Sequence, residues 1–176
     1  MTRQLKDRTF FTADSHFGHK KIMQYQPNRP FNSVAEHDDY LCKVWNATIK
    51  PGDDVFHLGD FFFYKSNSEI LSHLNGNITL IKGNHDNSRL GLTTHDYLEV
   101  KYESTQFVLS HYPIHNWNKM HHGSMHLHGH SHGRCETKTN RMDVGVDCHP
   151  FLKPFTLKEV LQRRVLKEDL PKNHRD

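Results

Sequence analysis

No stretch of this 176-residue chain approaches the roughly 18 consecutive apolar residues that a membrane-spanning helix requires, and no basic segment leads into an apolar one as in a secretion signal. A cytoplasmic protein with no membrane partner is therefore expected. Cysteine is scarce. Cys42, Cys135 and Cys148 are odd in number and lack C-x-x-C spacing, which excludes a disulfide framework and a zinc ribbon. A reducing compartment suits them. Neither sign of charge dominates: a formal charge of +3 is too small to imply nucleic-acid binding unaided, although it suits an anionic substrate. Repeats and low-complexity linkers are also missing. With only 35% hydrophobic residues the core must be modest, helped by eleven Phe, six Tyr and two Trp. These bounds predict one domain over 1–170, with 171–176 as a frayed tail.

Histidine is in excess, at seventeen. Several of these residues fall in polar clusters that directly follow strand-like runs. Thr-Phe-Phe-Thr-Ala at 9–13 reads as a strand and delivers Asp14-Ser15-His16, whose first and third side chains share a side in extended chain. A second strand over 54–58 delivers Gly59-Asp60, and a third over 78–82 delivers Gly83-Asn84-His85-Asp86. Between them, Ser33-x-x-Glu36 opens a helix to about Ile49, with Leu41, Val44 and Trp45 in its packed stripe, and another helix starts near 66–69. This strand-helix alternation implies a parallel sheet flanked by helices. In the second half, strands are expected at 97–102, 106–110, 125–128 and 142–147, with His111 and Gly129-His130-Ser131-His132 after two of them. Thr156-x-x-Glu159 opens a last helix to about Arg164, and 24–32 reads as a loop at the site edge.

Asp14, His16, Asp60, Asn84, His111, His130 and His132 form a set of hard oxygen and imidazole donors without thiolate. Such donors suit Mn, Fe, Zn, Ni or Mg. Seven exceed the needs of one ion and match two divalent ions, Mn first among them, sharing a bridging carboxylate. Two ions about 3.5–4 Å apart clamp a phosphoryl group and ionise the water between them. His85, beside Asn84, is placed to protonate a leaving oxygen, and Asp86 to hold the His85 imidazole in its working tautomer. His19 and Arg29 are candidate substrate contacts, Arg29 because a guanidinium fork matches phosphate oxygens. The competing reading of Arg29 is an exposed residue in a Pro-bounded turn. His57 reads as a core histidine, and His126 and His128 as sheet-face residues or partners of ligands. His115 and Trp117 are candidates for the cleft wall; Phe61, Phe62, Phe63 and Tyr64 read either as a surface for stacking a base or as core and rim packing. His37 and His149 read as surface, and Asp38 as solvated helix face. Asp147 is considered as a ligand's partner and not adopted.

These five clusters, in this order over residues 14–132, resemble the motif set of the calcineurin-like metallophosphoesterases, including small bacterial and phage members. The resemblance implies a four-layer α/β/β/α sandwich within one domain. It also implies a first metal held by Asp14, His16 and His132, a second by Asn84, His111 and His130, a bridging Asp60 and a general acid His85. The chain departs from the protein Ser/Thr phosphatases, which follow Gly-Asp with a downstream Asp-Arg-Gly and end the next motif in Glu. Gly59-Asp60 here leads into Phe61-Phe62-Phe63, and the motif ends in Asp86. The expected activity is hydrolysis of a phosphate mono- or diester, a small nucleotide-like substrate favoured, by a metal-bridging hydroxide. The alternatives are a nuclease acting on DNA or RNA ends and a non-catalytic metal-binding module of the same fold.

Overall fold

Strands form where β-branched and aromatic residues gather, and helices where a cap precedes an apolar stripe. In the computed structural model, which describes residues 2–63, 68–86, 91–136 and 138–166, the order is β1 (Arg3–Gln4), β2 (Thr9–Thr12), α1 (Ile22–Tyr25), α2 (Val34–Thr48), β3 (Asp54–His57), α3 (Ser68–His73) and β4 (Asn77–Ile81). Then follow β5 (Thr93–His95), β6 (Tyr97–Tyr102), β7 (Thr105–Ser110), β8 (Met125–His128), β9 (Arg141–Asp143), β10 (Phe155–Thr156) and α4 (Leu157–Leu161). The tail expected at 171–176, Tyr64 and the start of the third helix at 66–67 lie outside the described residues.

Ser33 caps α2, its Oγ accepting the Glu36 N–H at 3.1 Å. The Glu36 carboxylate reaches back one residue further than a capping box would, to the Asn32 N–H at 2.9 Å. At α4 the box is complete, with Thr156 and Glu159 each holding the other's backbone N–H. That helix ends at Leu161, short of the expected 164. The strand expected over 142–147 also stops early, at Asp143, and 146–148 is a 3-10 turn.

Two five-stranded sheets result, ordered β10-β2-β3-β4-β5 and β1-β6-β7-β8-β9. In the first, β2 to β5 are parallel and β10 is antiparallel; in the second only the β6–β7 pair is antiparallel. Alternation along each strand sends Phe11, Phe56 and Ile81 inward to meet Val100, Phe107, Leu109, Met125 and Leu127 of the second sheet. The opposite face of the first sheet (Phe10, Val55, Leu80) takes Leu41 and Trp45 of α2 and Ile49 just beyond its end, with Ile70 and Leu71 of α3. The first sheet is thus apolar on both faces, which explains why its strands read as near-continuous hydrophobic runs. On the outer side of the second sheet the cover is the 111–124 segment with a 3-10 turn at Met120–His122. Trp117 packs there on His126, so the fourth layer is thin and Trp117 is buried rather than on a cleft wall. Among the described residues no helix is long and apolar enough to cross a membrane.

Phe11 is the hinge pin of the inter-sheet core: fully buried, its ring lies 5.7 Å from Phe56 and 6.0 Å from Phe107. Phe11→Ala is expected to lower the free energy of unfolding by about 3–5 kcal/mol, read from urea denaturation. A loss below about 1 kcal/mol would mean that the sheets do not depend on this ring.

Candidate metal centre

β2, β3 and β4 lie in register, Thr12 opposite His57 and His57 opposite Leu80, so 14–16, 59–60 and 83–86 leave the sheet at one edge. Crevices at the carboxyl ends of parallel strands are where such folds build sites. From the second sheet, β7 and β8 (Leu109 opposite Leu127) bring His111 and 129–132 to the same end. The sheets are tied together there: the Val146 N–H donates to the Ala13 carbonyl at 3.0 Å.

The backbone at this edge is unusual. Among the described residues nine non-glycine positions have positive φ, and five of them are Asp14, His16, Asp60, His130 and His132, at +47° to +67°. L side chains adopt this region reluctantly, and such conformations persist only where surroundings over-determine them. Glycine opens the remaining space. A Cβ on Gly59, whose φ is +96°, would lie 2.3 Å from His111 Nδ1, and one on Gly83 would lie 2.3 Å from Asp60 Oδ1.

Asp60 Oδ2 stands between the two groups of ligand candidates, 3.6 Å from His16 Nε2 and 3.5 Å from His111 Nε2. Asp14, His16 and His132 bring one ligand atom each within 4.8 Å of one another, and so do Asp60, His111 and His130. Hydrogen bonds outside each cluster fix which nitrogen faces in. His111 Nδ1 is 2.8 Å from the Leu58 carbonyl, which can only accept, so Nε2 presents a lone pair. That lone pair faces Asp60 Oδ2 and, at 3.1 Å, Asn84 Oδ1. His132 Nδ1 likewise donates to Asp147 Oδ2 at 2.6 Å, turning its Nε2 lone pair inward. Both ring nitrogens of His16 are buried without a hydrogen-bond partner among the described residues. Apart from the His130 N–H, which donates to the Asp14 carboxylate at 2.9 Å, the inward atoms are acceptors facing acceptors. A buried polar atom left unpaired is costly, and a cation in each cluster removes that cost. The outer hydrogen bonds on His111 and His132 are of the kind that metal sites use to orient an imidazole ligand.

Ionisation fits the same demand. Burial, reinforced by Asp143, pushes the Asp14 carboxyl well above the usual carboxylate range, a penalty that a nearby cation reverses. Burial, with Arg29 next, drives the His16 imidazole down to about 2, leaving it neutral as a ligand must be. Burial opposes ionisation of Asp147, but hydrogen bonds from Arg29 and His132 outweigh it and hold this carboxyl below the usual range.

Several sequence expectations are corrected. Arg29 is neither a phosphate clamp nor an exposed turn residue: it is 1% exposed, and its guanidinium is saturated by Asp147, His37 and the Asp14 and Ser15 carbonyls. Asp86 does not touch the His85 imidazole. Its carboxylate is buried and accepts the N–H groups of Asp60, Phe61 and Gly83, each at 2.8 Å. It thereby pins the loop after β4 to the loop after β3. Asp38 is not solvated; it receives the Gly18 N–H and the Nδ1–H of buried His37. His149 is buried as well, and Phe61 and Phe62 belong to the core rather than to a stacking surface. Asp143 carries a role that sequence reading missed, and Asp147, considered as a ligand's partner but not adopted, is the partner of His132. Asp143 holds the His130–His132 loop through Ser131 Oγ (2.6 Å) and Gly133 N–H (2.9 Å). No local pattern marks these two carboxylates, since their partners lie in other segments.

The remaining candidates surround the opening. His85 is exposed, its N–H on Asp60 Oδ1 at 2.9 Å and its ring 5.6 Å from that of His16. His19 is half-buried, its ring 3.7 Å from Phe63 and 5.5 Å from His16. His57 is a core histidine, bonded to Ser15 Oγ at 2.9 Å and stacked on Phe61. His126 is spent on the Val108 carbonyl and the Ile114 N–H.

Comparison with known proteins follows this geometry. No family model matches the chain. An uncharacterized protein of Methanocaldococcus jannaschii is 32% identical over 151 residues, 84% of this chain and 76% of that protein. The gene 66 protein of Mycobacterium phage D29 is 28% identical over 185 residues, 83% of this chain and 91% of its own. The crystal structure of a protein of unknown function from Aquifex aeolicus superposes with a TM-score of 0.69 at 20% identity, covering 91% of this chain and 99% of that one, and so shares the fold.

The assignment of Asp86 as scaffold rather than catalyst has a direct stability test. Asp86→Ala strands three buried N–H groups at about 1–3 kcal/mol each, so a loss of about 3 kcal/mol or more is expected in denaturant unfolding. His85→Ala, at an exposed ring, is expected to stay within about 0.5 kcal/mol of the wild type. Equal effects would refute the distinction.

Proposed function

Because the chain belongs to one family with the Methanocaldococcus jannaschii protein and its clustered motifs resemble those of the calcineurin-like metallophosphoesterases, we propose that it hydrolyses phosphate esters with two divalent cations as cofactors. The supporting observation is the Asp60 carboxylate lying between His16 Nε2 and His111 Nε2 among inward lone pairs. On this reading Asp14, His16 and His132 hold one ion, Asn84, His111 and His130 the other, and Asp60 faces both. Bound together, the ions supply charge to the phosphoryl oxygens and a water of lowered pKa.

The chain's own residues supply the rest. Water forms the new P–O bond as the bond to the leaving oxygen breaks, and His85 gives that oxygen its proton. The Asp60 Oδ1 bond to the His85 N–H holds the acid's backbone to the carboxylate shared by both half-sites. A misplaced Asp60 therefore disturbs cations and acid together. His19 borders the same opening and is the substrate contact of this reading.

Exposed aromatic rings on both sides favour a substrate with a nucleobase. The Tyr112 ring, 51% exposed, lies 4.6 Å from His130. Across the opening Tyr25, 55% exposed, abuts His19. Base–aromatic stacking contributes about 1–3 kcal/mol per base. A nucleic-acid end is the second reading, favoured by exposed Lys20 and Lys21 and by Arg134, which donates to the Tyr25 carbonyl at 2.9 Å. Cleavage that falls steeply with salt would support it over a free nucleotide.

With Mn added, the wild type is expected to cleave bis-p-nitrophenyl phosphate and members of a nucleotide panel, to lose activity to a chelator and to regain it with Mn. Asp60→Asn should fall to background. His85→Ala should lose about 10²–10⁴-fold in kcat on substrates with a poor alkoxide leaving group. Its metal content should be unchanged, and its loss smaller on p-nitrophenyl esters, whose phenolate leaves without a proton. No hydrolysis with Mn, Ni, Zn or Mg would favour the non-catalytic metal-binding module instead.

A further inference from the structure

Resting on the reading that two cations bind here, we propose that Arg29 is the positioning residue of the first half-site, setting Asp14, His16 and His132 through hydrogen bonds while touching neither substrate nor cation. Arginine carries five N–H donors in a rigid fork, and five contacts absorb them. Nε and Nη2 meet the two carboxylate oxygens of Asp147 at 2.8 and 2.6 Å. Nη2 also reaches the Asp14 carbonyl at 2.6 Å, and Nη1 reaches the Ser15 carbonyl at 3.0 Å and His37 Nε2 at 3.1 Å.

Each contact leads back to the first cluster. The Asp147 oxygen that takes Nη2 also takes the His132 Nδ1–H, so one carboxylate oxygen aligns that ring against Arg29. The two carbonyls precede His16 directly and flank residues whose φ is +56° and +50°. Left-handed backbone at Asp14 and His16 needs an external hold, and the guanidinium provides it from one side. From the other side, His37 passes its Nδ1–H to Asp38 at 2.7 Å, and Asp38 takes the Gly18 N–H at 3.0 Å. The segment 14–18 is thus clamped before and after His16 by one buried network. Asn84 and His111 make none of these contacts and are held by the Asp86 loop and the Leu58 carbonyl; His130 meets the first cluster only through its backbone N–H on the Asp14 carboxylate, at 2.9 Å, and its loop is held by Asp143.

A purely architectural Arg29, pinning the 28–30 turn to the core, would lower stability without discriminating between the cations. The positioning role predicts selective loss. Loss of an outer hydrogen-bond partner typically weakens metal affinity about 10–100-fold, and lysine cannot reproduce the fork. Chelator-treated full-length wild type, Arg29→Lys and Asp147→Asn are titrated with Mn by calorimetry and by electron paramagnetic resonance, with thermal unfolding recorded in parallel. The wild type is expected to take two equivalents and show the spectrum of a coupled Mn pair. In both variants one equivalent should weaken at least tenfold while the other stays within twofold, and the coupled spectrum should give way to a mononuclear one. Variants that bind both equivalents as the wild type does, or that weaken both alike, overturn the proposal. A wild type that binds no Mn overturns the underlying two-cation reading, and this proposal with it. If Arg29→Lys does not fold, Asp147→Asn, which matches aspartate in shape, decides alone.

Discussion

Lone pairs pointed at lone pairs across a buried space are the constraint around which this molecule is arranged. Asp60 Oδ2, His16 Nε2 and His111 Nε2 approach to about hydrogen-bonding distance or a little more, yet outer bonds to Leu58 and Asp147 remove the hydrogens that His111 and His132 might have offered. In a protein interior such a cluster is unfavourable by itself. It is tolerable when the space receives positive charge, and two adjoining clusters sharing one carboxylate suit two charges rather than one.

Holding that arrangement takes much of the chain. Asp86 gathers three N–H groups from two loops, Asp143 secures the third, and Gly59 and Gly83 leave room where any side chain would collide. Left-handed residues at five of the ligand positions add a local cost that the two sheets repay through their register and shared core. Rigid strands thus end in strained, tightly bonded turns, and the reactive side chains take their places from those turns.

Sequence made some of this legible and left some hidden, for physical reasons. The clusters were readable because each stands directly after a strongly apolar strand, and register then carries them to one edge. Helix α2 announced itself through Ser33 and the stripe Leu41, Val44, Trp45. Strands β1, β5 and β10, at two or three residues, are too short for alternation to show. The buried ion network was invisible. Asn28-Arg29-Pro30 has the composition of an exposed turn, and the partner that draws Arg29 inside lies 118 positions away. Asp86 misled for a related reason: its neighbour in sequence is His85, whereas its neighbours in space are backbone N–H groups. Local pattern reports which side chains are chemically able; long-range pairing decides which of them act and which support.

Anomalous diffraction from crystals of this protein grown with Mn tests the central claim most directly. Two peaks about 3.5–4 Å apart, one beside Asp14, His16 and His132 and the other beside Asn84, His111 and His130, with the Asp60 carboxylate between them, are the predicted result. A map with no peak at Asp60, or with His16 and His111 rotated away from it, would contradict the account.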